Sequence, residues 1–274
     1  MACGVASIFF VVLIFLFLVK EGLSVFKSVS FTHFLFGHKW YPISDPPHLG
    51  ILPLILGSIL VTVGAAVISV PIGVGCAVYI AEIAPLRVKE ALKAGIELLA
   101  AIPSVVLGFV GMVTLVPLVK NVFHLPTGLT ALSGSIMLAF MAIPTIVSIA
   151  EDALYSVPKN YKEGAFALGA THWQTIWRVM LPAASSGILA AVMLGIGRVI
   201  GETMAVMMIT GNAAILPKSL LVPVRTLTAT VAAEMGEAVV GSEHYFALFA
   251  IGIVLFVISF MINVTADLFL HKRP

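Results

Sequence analysis

Charged residues are scarce in this 274-residue sequence. Asp, Glu, Lys and Arg together make up 10% of it, whereas 60% is hydrophobic and the mean hydropathy is +1.13. Soluble domains carry roughly 25% charged residues, so a water-soluble enzyme of this length is excluded. The apolar content also excludes a disordered chain. What remains is an integral membrane protein, and the question is what its few polar groups do in lipid.

The sequence also lacks the features of several other classes. Its net charge is only +2 and its 15 lysines and arginines form no basic run, which argues against a nucleic-acid partner. Cys3 and Cys76 are far apart and form neither a disulfide framework nor a metal spacing. The histidines are scattered without an H-E-x-x-H pattern, and no G-x-x-x-x-G-K-[ST] loop occurs. We therefore expect no catalytic residue, no metal site and no ATP-binding P-loop.

Six stretches are nearly free of charge and long enough to cross a bilayer, which takes about 20 apolar residues. They cover residues 1–19, 49–81, 98–119, 129–150, 185–211 and 245–270, and the third could begin near residue 94. Because backbone groups in lipid must satisfy their own hydrogen bonds, each stretch is predicted to be a helix. The predicted fold is all-α, a polytopic membrane bundle of six transmembrane helices forming a single domain over residues 1–274.

Basic residues favour one orientation of this bundle. Eight of them lie in the short loops after the second and fourth spans and in the C-terminal tail, namely Arg87, Lys89, Lys93, Lys159, Lys162, Arg178, Lys272 and Arg273. The loops on the other side hold six over a greater length, namely Lys20, Lys27, Lys39, Lys120, Lys218 and Arg225. The positive-inside rule therefore predicts that both termini are cytoplasmic.

Two opposite charges stand inside the fifth span. Arg198 lies near its middle, where an arginine costs about 2.5–3.5 kcal/mol on insertion scales. Glu202 follows four residues later, so on a continuous helix the two side chains would share a face and could neutralise each other. One interpretation is a buried ion pair that locks helix packing. The other is a polar path, including Thr203, in which the guanidinium binds a tetrahedral oxyanion or holds a gate.

The segment 151–184, after the fourth span, is predicted to form two short helices on the cytoplasmic side. Gly169 can end the first helix in a left-handed cap, and Thr171 can cap the start of the second. Pro182 is expected to break that helix before the fifth span. Such an elbow is either an amphipathic hairpin at the membrane surface or a docking element for a soluble partner.

This segment resembles the EAA motif of ABC importer permeases, whose pattern is roughly E-A-A-x3-G-x9-I-x-L-P. The matching residues are Glu163, Ala165, Gly169, Leu181 and Pro182, and the replaced ones are Gly164 for Ala and Val179 for Ile. In that family the short helix fits a cleft on the ATP-binding subunit. The resemblance thus implies that these residues couple the chain to an ATPase, with Glu163 to Gly169 as the coupling element.

A second resemblance narrows the family. Residues 50–58, 96–105 and 195–206 are similar to the PstC-type permeases of bacterial phosphate importers, and the similarity runs from about residue 49 onward. It implies a type I (MetI-like) importer permease in the bacterial inner membrane, with phosphate as substrate. It also implies a PstA-like second permease, a PstB-like ATPase dimer that binds ATP and Mg, and an external PstS-like phosphate-binding protein. That protein would dock on residues 26–48 and 212–244, and transport would proceed by alternating access.

Two alternatives stay open. A permease for another oxyanion, such as sulfate or molybdate, would have the same subunit architecture, because the external binding protein does much of the selecting. A secondary transporter would place coupling carboxylates across several spans. Only Glu202 lies deep in a predicted span, which counts against this second alternative.

Overall fold

The computed structural model of the chain describes residues 2–271 and is built mostly of helices. The helices are α1 (Ala2–Gly22), α2 (Phe31–Phe36), α3 (Leu52–Val78), α4 (Leu86–Ala101), α5 (Ser104–Val122), α6 (Ala131–Tyr155), α7 (Lys159–Ala167), α8 (His172–Thr175), α9 (Leu181–Ala183), α10 (Ser185–Gly201), α11 (Met204–Ile209), α12 (Leu227–Glu234) and α13 (Glu243–His271). Lys272 and Arg273, which enter the orientation prediction, lie outside the described residues, and so do the side chains of Cys3 and Asp267.

Three shorter elements complete the helices. A 3-10 segment, Leu23–Lys27, follows α1. A π-helical turn, Tyr79–Ile83, continues α3, and a second one, Ile176–Met180, continues α8. Strands β1 (Trp40–Tyr41) and β2 (His48–Leu49) pair antiparallel, with Trp40 opposite Leu49.

Within the described residues, five helices are long and apolar enough to cross a membrane. They cover Ala6–Lys27, Leu52–Ile83, Ser104–Val122, Ala131–Tyr155 and Glu243–Thr265. A sixth span is reached when the pair His172–Ala183 and Ser185–Gly201, bent by 70°, is taken as one. The described residues thus contain five spans, or six when the bent pair is counted as one, in the predicted order. Two of the predicted spans, the third and the fifth, differ in shape from the prediction.

The third span begins later than predicted. It starts at Ser104, and residues 94–101 belong to the separate helix α4. Pro103 causes the separation, since it lacks a backbone N–H and disfavours helical geometry in the residue before it. Ile102 is accordingly extended, with φ −68° and ψ 127°.

The fifth span is not the continuous helix over 185–211 that the sequence predicts. Helix α10 ends at Gly201 and α11 begins at Met204, with Thr203 between them at φ −120° and ψ −58°. The 17 residues of α10 extend about 25 Å, less than the roughly 30 Å hydrocarbon core. The helix of the apolar stretch is thus interrupted after Gly201, three residues beyond Arg198.

The predicted break at Pro182 is also displaced. Pro182 lies in α9, which continues directly from the π-helical turn Ile176–Met180, so the helix runs through the proline without a break. The chain leaves helical geometry instead at Ala184, with φ −86° and ψ 1°, and the 70° bend lies there.

One compact unit of the chain consists of Met1–Val61, Gly108–Gly134 and Glu202–Phe260. Its core joins the segment before α3 to α12 and α13, and includes Phe34, Trp40, Ile51, Leu54, Leu227, Leu248 and Ile251. Backbones approach closely here, because a Cβ on Gly57 would lie 2.5 Å from the carbonyl oxygen of Arg225. Ser58 fixes the start of α12 by accepting a hydrogen bond from Leu227 N at 2.9 Å.

A second compact unit consists of Thr62–Leu107, Ser135–Gly201 and Met261–Pro274. Its core contains Ala77, Ile80, Val147, Ala150 and Ala191. Gly73 of α3 and Gly195 of α10 both pack on Ile146 of α6, where an added Cβ would lie 2.7 and 2.5 Å from its side chain. Glycine is therefore required for helix contact at these two positions. That residues 1–274 form a single domain stays a prediction.

Candidate functional site

The break in the fifth span places Arg198 in the last turn of α10. The carbonyl end of a helix carries a partial negative charge, which favours a cation at this position. The Arg198 side chain is exposed, and its Nη1 donates a hydrogen bond to Thr145 Oγ1 on α6 at 3.3 Å. Two helices thus position the guanidinium, and the bond to Thr145 uses one of its five N–H donors.

Glu202 lies on the other side of the break, two residues before α11. Its Oε1 accepts a hydrogen bond from Ala205 N at 3.3 Å, one of the first amides of α11, which have no partner within the helix. Its own carbonyl oxygen accepts a hydrogen bond from Thr228 Oγ1 at 2.8 Å. An anion at the amino end of a helix is favourable, so α11 stabilises the Glu202 carboxylate where it lies.

The predicted shared face of Arg198 and Glu202 requires a continuous helix, in which residues four apart are neighbours. Helix α10 ends at Gly201 and α11 begins at Met204, so that prediction was wrong. Each charge has its own partner instead: the Arg198 guanidinium contacts Thr145, and the Glu202 carboxylate accepts from Ala205 N at the start of α11. Thr228 holds the Glu202 backbone carbonyl.

The face of α10 that carries Arg198 is not covered by the described part of the chain. A Cβ added at Gly197 or Gly201 would meet no atom within 4 Å, and Leu194 is 54% exposed. This differs from Gly195, which packs tightly on Ile146. Two glycines beside an exposed arginine thus leave room for close approach by another molecule.

Sequence reasoning missed Thr145 and Thr228, the two hydroxyl partners at the break. Thr228 belongs to a run of buried threonines in and before α12, in which Thr226 Oγ1 accepts from Ala229 N at 3.2 Å and Thr230 Oγ1 donates to the Thr226 carbonyl at 2.8 Å. The alternation of threonine at 226, 228 and 230 between two spans was the available signal. The sequence gives no comparable signal for Thr145, because its contact with Arg198 depends on how α6 packs against α10.

The predicted coupling segment has the predicted local structure. Gly169 adopts φ +80°, and its N–H donates to the Phe166 carbonyl at 2.9 Å, which ends α7 in a left-handed cap. Thr171 and Gln174 form a reciprocal capping box, with Gln174 N to Thr171 Oγ1 at 3.3 Å and Thr171 N to Gln174 Oε1 at 2.9 Å. Both helix-end predictions are confirmed.

The predicted coupling residues divide between two environments. Ala165 is the buried residue of α7, and Leu181 packs on a cluster that contains Leu154 and Met180. The exposed residues are Glu163, Gly164, Gly169 and Pro182. Leu168, next to Gly169, is 91% exposed. The segment therefore anchors itself through two small or apolar side chains and presents an acid and apolar groups outward.

The segments 26–48 and 212–244, predicted to receive a binding protein, meet around Glu234 at the end of α12. The carboxylate accepts hydrogen bonds from Trp40 Nε1 at 3.0 and 3.2 Å, pairs with His244 Nε2 at 2.9 Å, and forms an ion pair with Arg225. Arg225 Nε also donates to the Asn212 carbonyl at 3.0 Å. These groups border an open cavity of about 820 Å³. Across the described ranges, no three His, Cys, Asp or Glu side chains come together as metal ligands.

Comparison with known proteins identifies the family. Residues 69–273 match the family model described as "Binding-protein-dependent transport system inner membrane component". The chain belongs to this family. It is 43% identical over 262 residues to the "Probable ABC transporter permease protein YqgH" of Bacillus subtilis, which covers 95% of this chain and 85% of the relative.

Relatives named PstC confirm the narrower resemblance. The permease is 36% identical to the "Phosphate transport system permease protein PstC" of Mesorhizobium japonicum over 87% of this chain and 78% of the relative. It is 37% identical to the protein of the same name from Haemophilus influenzae, over 87% of this chain and 81% of the relative.

Solved structures confirm the fold. A bacterial alginate ABC transporter in complex with an alginate-pentasaccharide-bound periplasmic protein matches with a TM-score of 0.68 and 16% identity, over 99% of this chain and 93% of that one. The inward-facing MetNI methionine ABC transporter matches with a TM-score of 0.59 and 20% identity, over 81% and 93%. The permease thus has the MetI-like fold and is a multi-pass membrane protein.

Proposed function

We propose that this permease forms half of the translocation pathway of an ATP-driven phosphate importer. The observation that carries the proposal is an exposed arginine at the point where an apolar span is interrupted. The names of the PstC relatives support phosphate as the substrate. The Bacillus relative has a name without a substrate, so sulfate and molybdate are the alternatives to test against phosphate.

The interruption supports a substrate path for a physical reason. Irregular backbone at membrane depth is tolerated only where it is buried in protein or lines a water-filled cavity. Discontinuous helices with their ends at the bound substrate are a recurring feature of transporters. Arg198 at a helix end, with Glu202 and Thr203 following at the break, gives this path a cation whose fork geometry suits a phosphate.

A second subunit is needed to complete the path. The uncovered face beside Gly197 and Gly201 would leave Arg198 against lipid in an isolated chain, at a cost of about 2.5–3.5 kcal/mol. A PstA-like permease packed on this face removes that cost and encloses an aqueous route between the two subunits.

The energy enters through the coupling segment. Glu163 to Gly169, with Leu181 and Pro182 at its far end, would bind a PstB-like ATPase dimer that carries ATP and Mg. The exposed Leu168 and the outward Glu163 supply the apolar and acidic contacts. In this assignment the chain itself is a non-catalytic subunit.

The orientation follows from the same assignment. The segment 151–184 lies in the cytoplasm, both termini lie on that side, and the membrane is the bacterial inner membrane. The segments 26–48 and 212–244 then face outward, where the Glu234 cluster holds them in place for a PstS-like phosphate-binding protein. Docking and ATP binding open the path outward, phosphate passes Arg198, and hydrolysis returns it to the inward-facing state.

The test is uptake by the assembled importer in liposomes. The complex of this permease with its second permease, ATPase and binding protein is expected to accumulate labelled phosphate only with ATP. A large excess of sulfate or molybdate should leave that uptake unchanged. If sulfate or molybdate abolishes phosphate uptake, that oxyanion is the substrate instead of phosphate. If an ion gradient drives uptake without ATP, the protein is a secondary transporter.

A further inference from the structure

Glu82 and Lys162 form an ion pair between two distant parts of the sequence. Glu82 belongs to the π-helical turn that continues α3, and its side chain is only 6% exposed. Lys162 belongs to α7, is 33% exposed, and directly precedes Glu163 of the coupling segment. The pair therefore joins the end of a membrane span to the helix that carries the coupling residues.

Apolar packing alone gives α7 little support. The helix has nine residues, and Ala165 is the residue that it buries. Isolated helices of this length are marginal in water, and an alanine removes little apolar area from solvent. The Phe166 ring stacks on the His172 ring of α8 with 6.2 Å between centroids, but this contact lies within the coupling segment. Toward the end of α3, α7 is held by a charge-assisted hydrogen bond to a nearly buried carboxylate, which is a strong kind of polar contact.

The surroundings of the pair leave room for movement. Tyr79 and Ile83, from the turn that contains Glu82, line an apolar cavity of about 530 Å³ together with Trp173 and Trp177. Trp177 belongs to the second π-helical turn, Ile176–Met180. Such turns are rare and often occur at functional sites. Unfilled space and irregular hydrogen bonding thus flank the ion pair on the side of the coupling segment.

We propose that the Glu82–Lys162 ion pair holds α7 to the end of α3 and so transmits the movement of the coupling segment into that membrane span. Lys162 and Glu82 are then positioning residues for transport, acting through Glu163 to Gly169. This inference rests on the proposed coupling function, but the attachment of α7 to α3 is testable without it.

The two side chains of the ion pair are buried to different extents, so the two single variants are expected to differ in severity. Removal of Lys162 leaves a nearly buried carboxylate without a partner, which is strongly unfavourable. Removal of the Glu82 charge leaves a lysine that can reach water along its flexible stem. Lys162→Gln should therefore be more damaging than Glu82→Gln, and the double variant should be no worse than Lys162→Gln alone.

The first measurement is hydrogen exchange in the full-length permease without its ATPase. In Lys162→Gln, the amides of α7 should exchange about tenfold faster than in the unmodified chain. Lys159→Gln is the matched control, since it removes the same charge from an exposed position on the same helix. Glu90→Gln, at an exposed position on α4, is the control for the acid. Equal exchange in Lys162→Gln and Lys159→Gln would overturn the attachment.

The second measurement is the number of phosphate ions imported per ATP hydrolysed by the complete importer in liposomes. Lys162→Gln should lower this ratio about tenfold while the ATPase still hydrolyses ATP. Glu82→Gln should lower it less, and the losses should not add in the double variant. Additive losses, or an unchanged ratio in Lys162→Gln, would overturn the transmitting role. If the unmodified complex itself does not import phosphate, the proposed function fails, and the exchange result still decides the attachment.

Discussion

Arg198 on α10 and Thr145 on α6 are joined by a hydrogen bond of 3.3 Å from the guanidinium Nη1 to the threonine hydroxyl oxygen. Thr145 directly follows Pro144, which lies inside α6. The bond orients one edge of the guanidinium and leaves the other edge without a partner on α6. An arginine held in this way is prepared for a ligand with little loss of side-chain entropy on binding.

The first prediction concerns Arg198 itself. Arg198→Ala should abolish phosphate uptake while the complex still assembles, because the cation proposed to bind phosphate in the path is lost. Arg198→Lys should recover only part of the uptake, since an ammonium cannot form a bidentate contact. Uptake by liposomes and co-purification of all subunits are the measurements. Normal uptake by Arg198→Ala would remove this residue from the pathway.

The second prediction concerns Thr145. Thr145→Val keeps the shape of the side chain but removes the acceptor for Arg198. The KM for phosphate uptake should rise about fivefold, in keeping with the loss of one partly solvated hydrogen bond to a charged group. Thr145→Ser keeps the hydroxyl and serves as the control. Equal KM values for the Val and Ser variants would show that the hydrogen bond does not orient the arginine for substrate.

The third prediction compares two glycines of the coupling segment. Gly169 has φ +80°, so Gly169→Ala strains the backbone by about 1–2 kcal/mol even though space is open around it. Gly164 lies inside α7, also in open space, and Gly164→Ala should stabilise that helix by about 1 kcal/mol. Co-purification of the ATPase should therefore fall in Gly169→Ala and persist in Gly164→Ala. Loss of the ATPase in both variants would show that the ATPase packs directly against the two glycines, and that the left-handed backbone at Gly169 is not the deciding feature.

The fourth prediction concerns Glu234. This carboxylate has three partners, Trp40, Arg225 and His244, and is 16% exposed. Glu234→Gln removes the charge and should destabilise the permease by about 2–4 kcal/mol, because Arg225 loses its ion-pair partner.

Thermal unfolding in detergent is the measurement for Glu234→Gln. Glu237→Gln is the matched control, since Glu237 borders the same cavity at an exposed position. An equal melting temperature in the two variants would show that the Glu234 contacts do not stabilise the fold.

Local chemistry determined which parts of the coupling segment the sequence could predict. The Gly169 cap and the Thr171 N-cap depend on residues within one turn of each other, and both predictions were confirmed. The Glu82–Lys162 ion pair could not be predicted in the same way. Its members are 80 residues apart and meet only when α7 packs against the end of α3.

The interruption of the fifth span was missed for a different reason. Hydropathy is uniformly high on both sides of it, so a search for apolar length predicts a single helix. Gly201, followed by Glu202 and Thr203, was the available signal, since glycine commonly ends a helix and a polar residue commonly begins one. In the third span, Pro103 was such a signal too, and it explains why α4 is separate from α5.

The open surroundings of Gly197 and Gly201 affect how damaging variants would be recognised. An alanine Cβ at either position meets no atom within 4 Å in the described residues, so the amount and thermal stability of the isolated permease would stay normal in Gly197→Ala and Gly201→Ala. The defect would arise only when a neighbouring helix has to fit against the glycine. A screen that counts folded subunits would therefore pass such a variant, and a screen for assembled, working importer would reject it.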